Sequence, residues 1–99
     1  MALIEFDYDR AISQANRLEN VAEDMKRLAN SSVNNSLQEI NASWTGENAT
    51  AYIQKGYRLQ EQISKTASEL MIISESIRRV AERIKRAEDH AKSVVGHGG

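Results

Sequence analysis

The sequence contains no proline and no cysteine, and it is poor in glycine and aromatic residues. Because proline interrupts helices, a chain without it can form long continuous ones. The absence of cysteine excludes disulfides and thiolate metal ligands. One Trp, one Phe and three Tyr in 99 residues provide little aromatic mass for a globular core. No stretch reaches the roughly 18 apolar residues that a membrane span requires.

The charge of the chain is close to balanced. The formal net charge is -1 at pH 7, with 27% charged and 40% hydrophobic residues. This composition is typical of a folded protein rather than a disordered one. It argues against a general nucleic-acid binder, which is usually basic. The first seven residues lack a basic region followed by an apolar run, so no Sec-type signal peptide is predicted there.

The first half of the chain has a helical pattern. We expect an extended arm over residues 1–6, an N-cap at Asp7 and a helix over residues 8–42. The run at 30–36 is poor in helix formers but contains neither Pro nor Gly, so the helix is predicted to continue through it. A column of small residues at seven-residue intervals would let another helix approach closely; it comprises Ala15, Ala22, Ala29 and Ser36.

The second half has the most regular pattern. After a turn predicted at 43–47, a helix is expected over residues 48–94, followed by a flexible tail at 96–99. Its apolar positions alternate three-residue and four-residue spacings, which is the period of a left-handed coiled coil. The column comprises Ala49, Tyr52, Gly56, Leu59, Ile63, Thr66, Leu70, Ile73, Ile77, Val80, Ile84, Ala87, Ala91 and Val94. At Gly56 either a bulky side chain such as Trp44 fills the space, or the glycine is a tolerated weak position.

These patterns predict an all-α fold, namely an antiparallel two-helix hairpin over residues 7–95. Two helices enclose no core, and each helix here carries a second apolar stripe; on the second helix it comprises Ile53, Tyr57, Ala67 and Met71. We therefore predict dimerisation into a four-helix bundle. Candidate dimer-interface residues are Ala15, Leu18, Ala22, Met25, Ala29, Leu59, Ile63 and Leu70.

No catalytic, cofactor-binding or metal-binding constellation is evident, and we predict that the protein is not an enzyme. His90 and His97 are expected to be exposed to solvent. The basic residues between 78 and 86 either meet an acidic or phosphate-bearing partner or form a solvated coiled-coil face, and the second interpretation is favoured.

The residues around the predicted turn resemble a family motif. Trp44, Gly46, Ala49 and Tyr52 form the pattern WxGxxAxxY between two long helices in a chain of about 100 residues. Together these features resemble the WXG100 (ESAT-like) family, with Tyr52 where the family often has Phe. The resemblance extends over almost the whole chain.

The resemblance implies a secreted protein. Members leave the cell without a signal peptide through a type VII (ESX-type) secretion system, from a cytoplasmic pool. Implied partners are a second copy, a related WXG100 chain, a membrane-bound FtsK/SpoIIIE-like ATPase, and possible larger toxins or effectors for which the protein serves as adaptor or chaperone; nucleic acid is not among them.

The family's export signal also includes a C-terminal Tyr-x-x-x-acidic motif. No Tyr follows Tyr57 here. A broader form of the motif is matched by Ile84, Glu88, Ala91 and Val95, although a helix with heptad spacing matches such a pattern often. This departure from the family leaves open whether the chain carries a complete export signal or a partner supplies one.

Two other functions remain open at the level of sequence. The chain could be a cytoplasmic coiled-coil scaffold whose Trp-x-Gly is coincidental. It could also be a membrane-active helical protein, although its near-neutral charge gives little attraction to anionic lipid.

Overall fold

The computed structural model describes the backbone of residues 6–98 and the side chains of residues 6–94. The described chain is helical, which confirms the all-α class. The elements are α1 (Tyr8–Arg27), a π-helical segment (Leu28–Val33), α2 (Asn34–Ser43) and α3 (Glu47–Gly98). The predicted N-terminal arm lies, apart from Phe6, outside the described residues.

The start of α1 follows the capping chemistry of its sequence. The Asp7 side chain accepts a hydrogen bond from the Arg10 backbone N–H at 3.0 Å. Asp9 lies in the first turn and Lys26 and Arg27 lie in the last turn. Acidic residues near the N-terminus and basic residues near the C-terminus of a helix both complement the helix dipole.

Residues 44–46 connect the two arms of the hairpin. Trp44 ends α2 with an extended backbone, and its N–H bonds to the Ile40 carbonyl oxygen at 2.8 Å. Gly46 has φ of 102°, a conformation that glycine adopts without a Cβ penalty. The Thr50 N–H and hydroxyl both donate to the Gly46 carbonyl oxygen at 3.3 Å, and so fix the first turn of α3.

The described chain is a thin rod of 80 × 19 × 18 Å. The Lys85 ammonium lies over the Tyr8 ring, so α3 continues for about 20 Å beyond the start of α1 at the helical rise of 1.5 Å per residue. The last described residue of α3 is Gly98. The helix therefore includes residues 96–98, for which the sequence predicts a flexible tail.

Small residues form the contact between the two arms. Ala15, Ala22 and Ala29 have no exposed surface, and on α3 the corresponding buried positions recur at seven-residue intervals. These positions are Ala67, Ser74 and Ala81. Side chains of this size let two helix backbones approach closely. Larger side chains supplement this close backbone packing, since Leu37 is buried and Ile63 and Leu70 are half-buried.

The interface on α3 keeps alternate members of the predicted column and replaces the others. Ala49 is buried and Gly56 faces Leu37, and the members at Ile63, Leu70, Ile77 and Ile84 are half-buried. The period of seven is as expected, but five members of the predicted column remain about half exposed: Tyr52, Leu59, Ile73, Val80 and Val94. Ala67, assigned to the second stripe, is buried instead. The physical reason is size, because the Ala and Ser column permits closer approach than a column of Ile, Val and Leu.

The helix continues through the polar run at 30–36, as predicted, but not in uniform α geometry. Residues 28–33 form a π-helical segment, in which one extra residue is accommodated. The buried column therefore passes from Ala29 to Leu37, eight residues later, and Leu37 is only 4% exposed. The predicted small column would continue at Ser36, which is exposed.

The π segment brings Leu37 onto Gly56. A Cβ atom added to Gly56 would lie 2.2 Å from Leu37 Cδ2, 3.1 Å from Cγ and 3.2 Å from Cδ1. The Leu37 side chain thus fills the space that the missing side chain leaves. Of the two interpretations of Gly56, the one with a bulky neighbour is correct, but that neighbour is Leu37 rather than Trp44.

Candidate protein-interaction site

The two broad sides of the hairpin differ in chemistry, and one side is polar. Arg78 on α3 donates to the Asn16 side-chain oxygen at 2.7 Å and forms an ion pair with Glu19 on α1. The Lys85 Nζ atom lies 4.4 Å from the centroid of the Tyr8 ring, a cation–π geometry. These contacts cross between the helices on the same flank, so the chain's own polar groups bridge the two arms on this side.

The polar side continues at the π segment. The Gln60 side-chain N–H donates to the Ala29 carbonyl oxygen at 2.8 Å. An open groove beside this bond is lined by Asn30, Tyr57, Gln60, Glu61 and Ser64. The groove shows that this flank of the hairpin carries mostly hydrogen-bonding groups.

The opposite side is apolar. A groove of about 420 Å³ between the helices is lined from the first arm by Phe6, Ala11 and Gln14. Its α3 wall is formed by Ile73, Ser76, Ile77, Val80 and Ala81. Residues of the predicted α3 column and the first arm therefore meet on one side of the hairpin.

On α1 the apolar side continues beyond this groove. Val21 and Leu28 follow Gln14 at seven-residue intervals and are 48% and 47% exposed. On α3 the exposed column extends in both directions from the groove to Leu59 and Val94. We call this surface the apolar face; its exposed members are Val21, Leu28, Leu59, Ile73, Val80 and Val94. Exposed apolar side chains that share one side of a protein mark candidate sites of protein or membrane interaction.

The predicted dimer-interface residues divide into three groups by their exposure. Ala15, Ala22 and Ala29 are fully buried between the two arms of one chain, so they have no surface to offer to another chain. Leu59 is exposed on the apolar face. The other candidates, which are half-buried, are Leu18, Met25, Ile63 and Leu70.

The four residues of the turn motif lie together at one end of the rod. The Trp44 and Tyr52 rings are in contact, with centroids 5.7 Å apart and planes tilted by 46°. Both are more than half exposed, whereas Ala49 is buried at 4% exposure. Gly46 supplies the positive φ between them along the chain. The motif therefore places an exposed aromatic pair at the helix connection.

The C-terminal candidate motif lies at the other end of α3. Ile84 and Glu88 are half-buried and Ala91 is exposed. The side chain of Val95 lies outside the described residues. The motif and the aromatic pair are thus at opposite ends of a single chain, about 60 Å apart along α3 at 1.5 Å per residue.

The basic residues near 78–86 do not act as one group. Arg78 faces α1 and pairs with Glu19. The exposed ones are Arg79, Arg83, Lys85 and Arg86. His90 is also exposed, and the side chain of His97 lies outside the described residues.

Comparison of the chain with protein-family models, with curated proteins and with solved structures finds no match. Within residues 6–98, no helix combines the length and the apolar character needed to cross a membrane.

Sequence reasoning missed the polar contacts across the hairpin and the roles of Gln60 and Leu37. A signal for Leu37 was present, since a glycine inside a strongly periodic helix calls for a large side chain opposite. The polar contacts of Arg78 and Lys85 depend on which face of α3 packs against α1. The seven-residue period of the sequence does not specify that face.

Proposed function

We propose that this protein is a non-enzymatic WXG100-type protein, exported by a type VII secretion system either as a substrate or as the escort of a larger effector. The observation that carries the proposal is the exposed Trp44–Tyr52 pair at the connection of two long helices. Aromatic side chains with this exposure supply large contact areas for a partner. In this proposal the partner at the turn is the membrane-bound secretion ATPase.

The second part of the proposal is self-association through the apolar face into a four-helix bundle. The exposed α3 column follows heptad positions, and Ile73 lies midway between Leu59 and Ala87. Within the part of this column between the turn motif and the end of α3, a two-fold axis through Ile73 opposes Leu59 to Ala87 and Val80 to Thr66, so larger residues meet smaller ones. Such self-complementarity suits an isologous dimer. A second copy of this chain is therefore the favoured partner over a related chain.

The apolar face gives a rough scale for the strength of pairing. Five half-exposed side chains per chain (Val21, Leu28, Leu59, Ile73 and Val80) would be covered. Covering the exposed half of each contributes about 1 kcal/mol, or roughly 10 kcal/mol for two chains. Association itself costs about 4–15 kcal/mol. We therefore expect a dimer that dissociates on dilution, rather than one that is permanent.

The export experiment tests the function in the native host. Trp44→Arg should abolish appearance of the protein outside the cell, because the aromatic contact is replaced by a charge. The matched control is Tyr57→Arg, which adds the same charge to another exposed aromatic residue on the polar side. Cytoplasmic levels of both variants are measured at the same time, which separates export from degradation. Export of the Trp44→Arg variant at the wild-type level would contradict the proposed function.

The C-terminal motif requires its own variant. Removal of residues 84–99 should stop export while leaving the contacts between the π segment and α3 in place. Glu88→Gln, which keeps the length of the side chain, tests the acidic position alone. Unchanged export of the truncated chain would mean that a partner supplies this part of the signal.

A further inference from the structure

The π segment determines which residue of α2 is buried against α3. Upstream of it, small residues are buried at intervals of seven; across it, the interval is eight and ends at Leu37. In a uniform α-helix, the interval of seven would place Ser36 opposite Gly56. One residue corresponds to about 100° of rotation around the helix axis. The whole of α2, with Trp44 at its end, is therefore rotated relative to a helix without the π segment.

Two contacts hold this arrangement. Leu37 fills the space at Gly56, where a Cβ would be 2.2 Å from its Cδ2 atom. The Gln60 side chain, one helical turn further along α3, donates to the Ala29 carbonyl oxygen within the π segment at 2.8 Å. In a uniform helix, Ser36 would lie opposite Gly56 and would leave a void there. Leu37 would then be exposed to water. Both contacts therefore favour the π-helical arrangement over the uniform one.

We propose that the π segment, together with the Leu37–Gly56 contact and Gln60, is a positioning element that sets the rotation of Trp44 and keeps its ring against Tyr52. Leu37, Gly56 and Gln60 are positioning residues, because they act through the backbone of α2 and not by contact with a partner. The importance of Trp44 for export rests on the proposed function, whereas its placement by the π segment does not. The experiments use purified full-length protein, so their outcome is independent of export.

The first experiment removes one residue from the π segment. Deletion of Ser31, which is exposed, converts the interval from Ala29 to Leu37 into seven and allows a uniform α-helix with Leu37 still buried. The matched control is deletion of the exposed Asn20, which lies between two buried alanines and breaks their spacing. We expect the Ser31 deletion to keep the wild-type Tm or raise it. The Asn20 deletion should lower the Tm by more than about 5 °C, the shift caused by loss of one substantial buried contact in a domain of this size.

The second experiment moves the leucine. Ser36→Leu combined with Leu37→Ser puts the large side chain at the interval of seven, which favours a uniform helix and rotates α2. Trp44 is the only Trp in the chain, so its fluorescence reports the change directly. We expect a shifted emission maximum and loss of the nuclear Overhauser contacts between the Trp44 and Tyr52 rings. The Ser31 deletion should retain both signals.

Two results would overturn the proposal. One is a loss of stability on deletion of Ser31 as large as that on deletion of Asn20. The other is retention of the Trp44–Tyr52 contacts in the exchanged variant while circular dichroism shows it folded. If the exchanged variant does not fold, Gln60→Ala and Gln60→Glu provide the readout. Replacing the amide donor by either side chain should broaden the Trp44 and Tyr52 signals, and unchanged signals in both would also overturn it.

Discussion

Because Leu37 contacts Gly56, we predict that the effect of Gly56→Ala on stability has opposite signs in the wild type and in a Leu37→Ala variant. Gly56→Ala gains about 1 kcal/mol from helix propensity. Against this, the new Cβ lies within 3.2 Å of three Leu37 side-chain carbons. Because Cγ is among them, rotation of the leucine about its last bond does not remove the clash. Overpacking of this kind costs about 1–3 kcal/mol, so the net result is a destabilisation of up to about 2 kcal/mol.

In a Leu37→Ala background the clash is absent. Leu37→Ala alone should cost about 2–5 kcal/mol, because it leaves a cavity at a buried position. Adding Gly56→Ala should then stabilise the chain by about 1 kcal/mol. The double-mutant cycle thus has a coupling energy of about 1–3 kcal/mol in size, equal to the overpacking term.

Urea unfolding followed by circular dichroism measures all four corners of the cycle. All variants are compared at one protein concentration, since association contributes to apparent stability. Val80→Ala serves as the control background, because Val80 lies on the apolar face remote from Gly56, and there Gly56→Ala should act as in the wild type. An equal effect of Gly56→Ala in the wild type and in Leu37→Ala would refute the assignment of Leu37 as the group that fills the glycine's space.

Three further predictions concern the hairpin. Ala22→Leu should cost about 1–3 kcal/mol by forcing the two backbones apart, whereas the same change at the exposed Ala51 should be nearly neutral in urea unfolding. Arg78→Gln and Glu19→Gln should show a coupling of about 0.5–1 kcal/mol that decreases with added salt; a coupling that salt leaves unchanged would argue against an ionic contribution. Gly46→Ala should cost about 1–2 kcal/mol because its φ of 102° disfavours a Cβ, and a neutral effect would show that the connection adopts another backbone conformation.

The period of the helices was readable from the sequence, but the phase of their packing was not. The column through Ile73 and Val80 is more hydrophobic than the one through Ala67 and Ala81, which made it the natural choice for the inner contact. The structure buries the small residues instead, because two helices in direct contact gain from close approach. Ile73 and Val80 are left for the apolar face. Hydrophobicity alone does not distinguish a contact within a chain from a contact between chains.

The π segment was invisible for a related reason. Residues 30–36 gave a weak local signal, and the column of Ala15, Ala22 and Ala29 continued plausibly to Ser36. The choice of Leu37 depends on Gly56, which is 19 residues away in sequence and adjacent only after the hairpin forms. By contrast, the N-cap at Asp7 was predictable because its hydrogen bond to Arg10 is local. The helix connection was predictable as well, because Gly46 provides the positive φ that the chain adopts there.

Sedimentation equilibrium of the wild type and of Ile73→Asp tests the central claim, which is that the apolar face is a site of pairing. The chain mass is 11.1 kDa. The account predicts that the wild type reaches twice this mass as its concentration rises. Ile73→Asp, with one charge at the proposed two-fold axis and the inner contact untouched, should remain at the chain mass with unchanged helix content. A wild type that stays at the chain mass at every concentration, or a variant that pairs as strongly as the wild type, would contradict it.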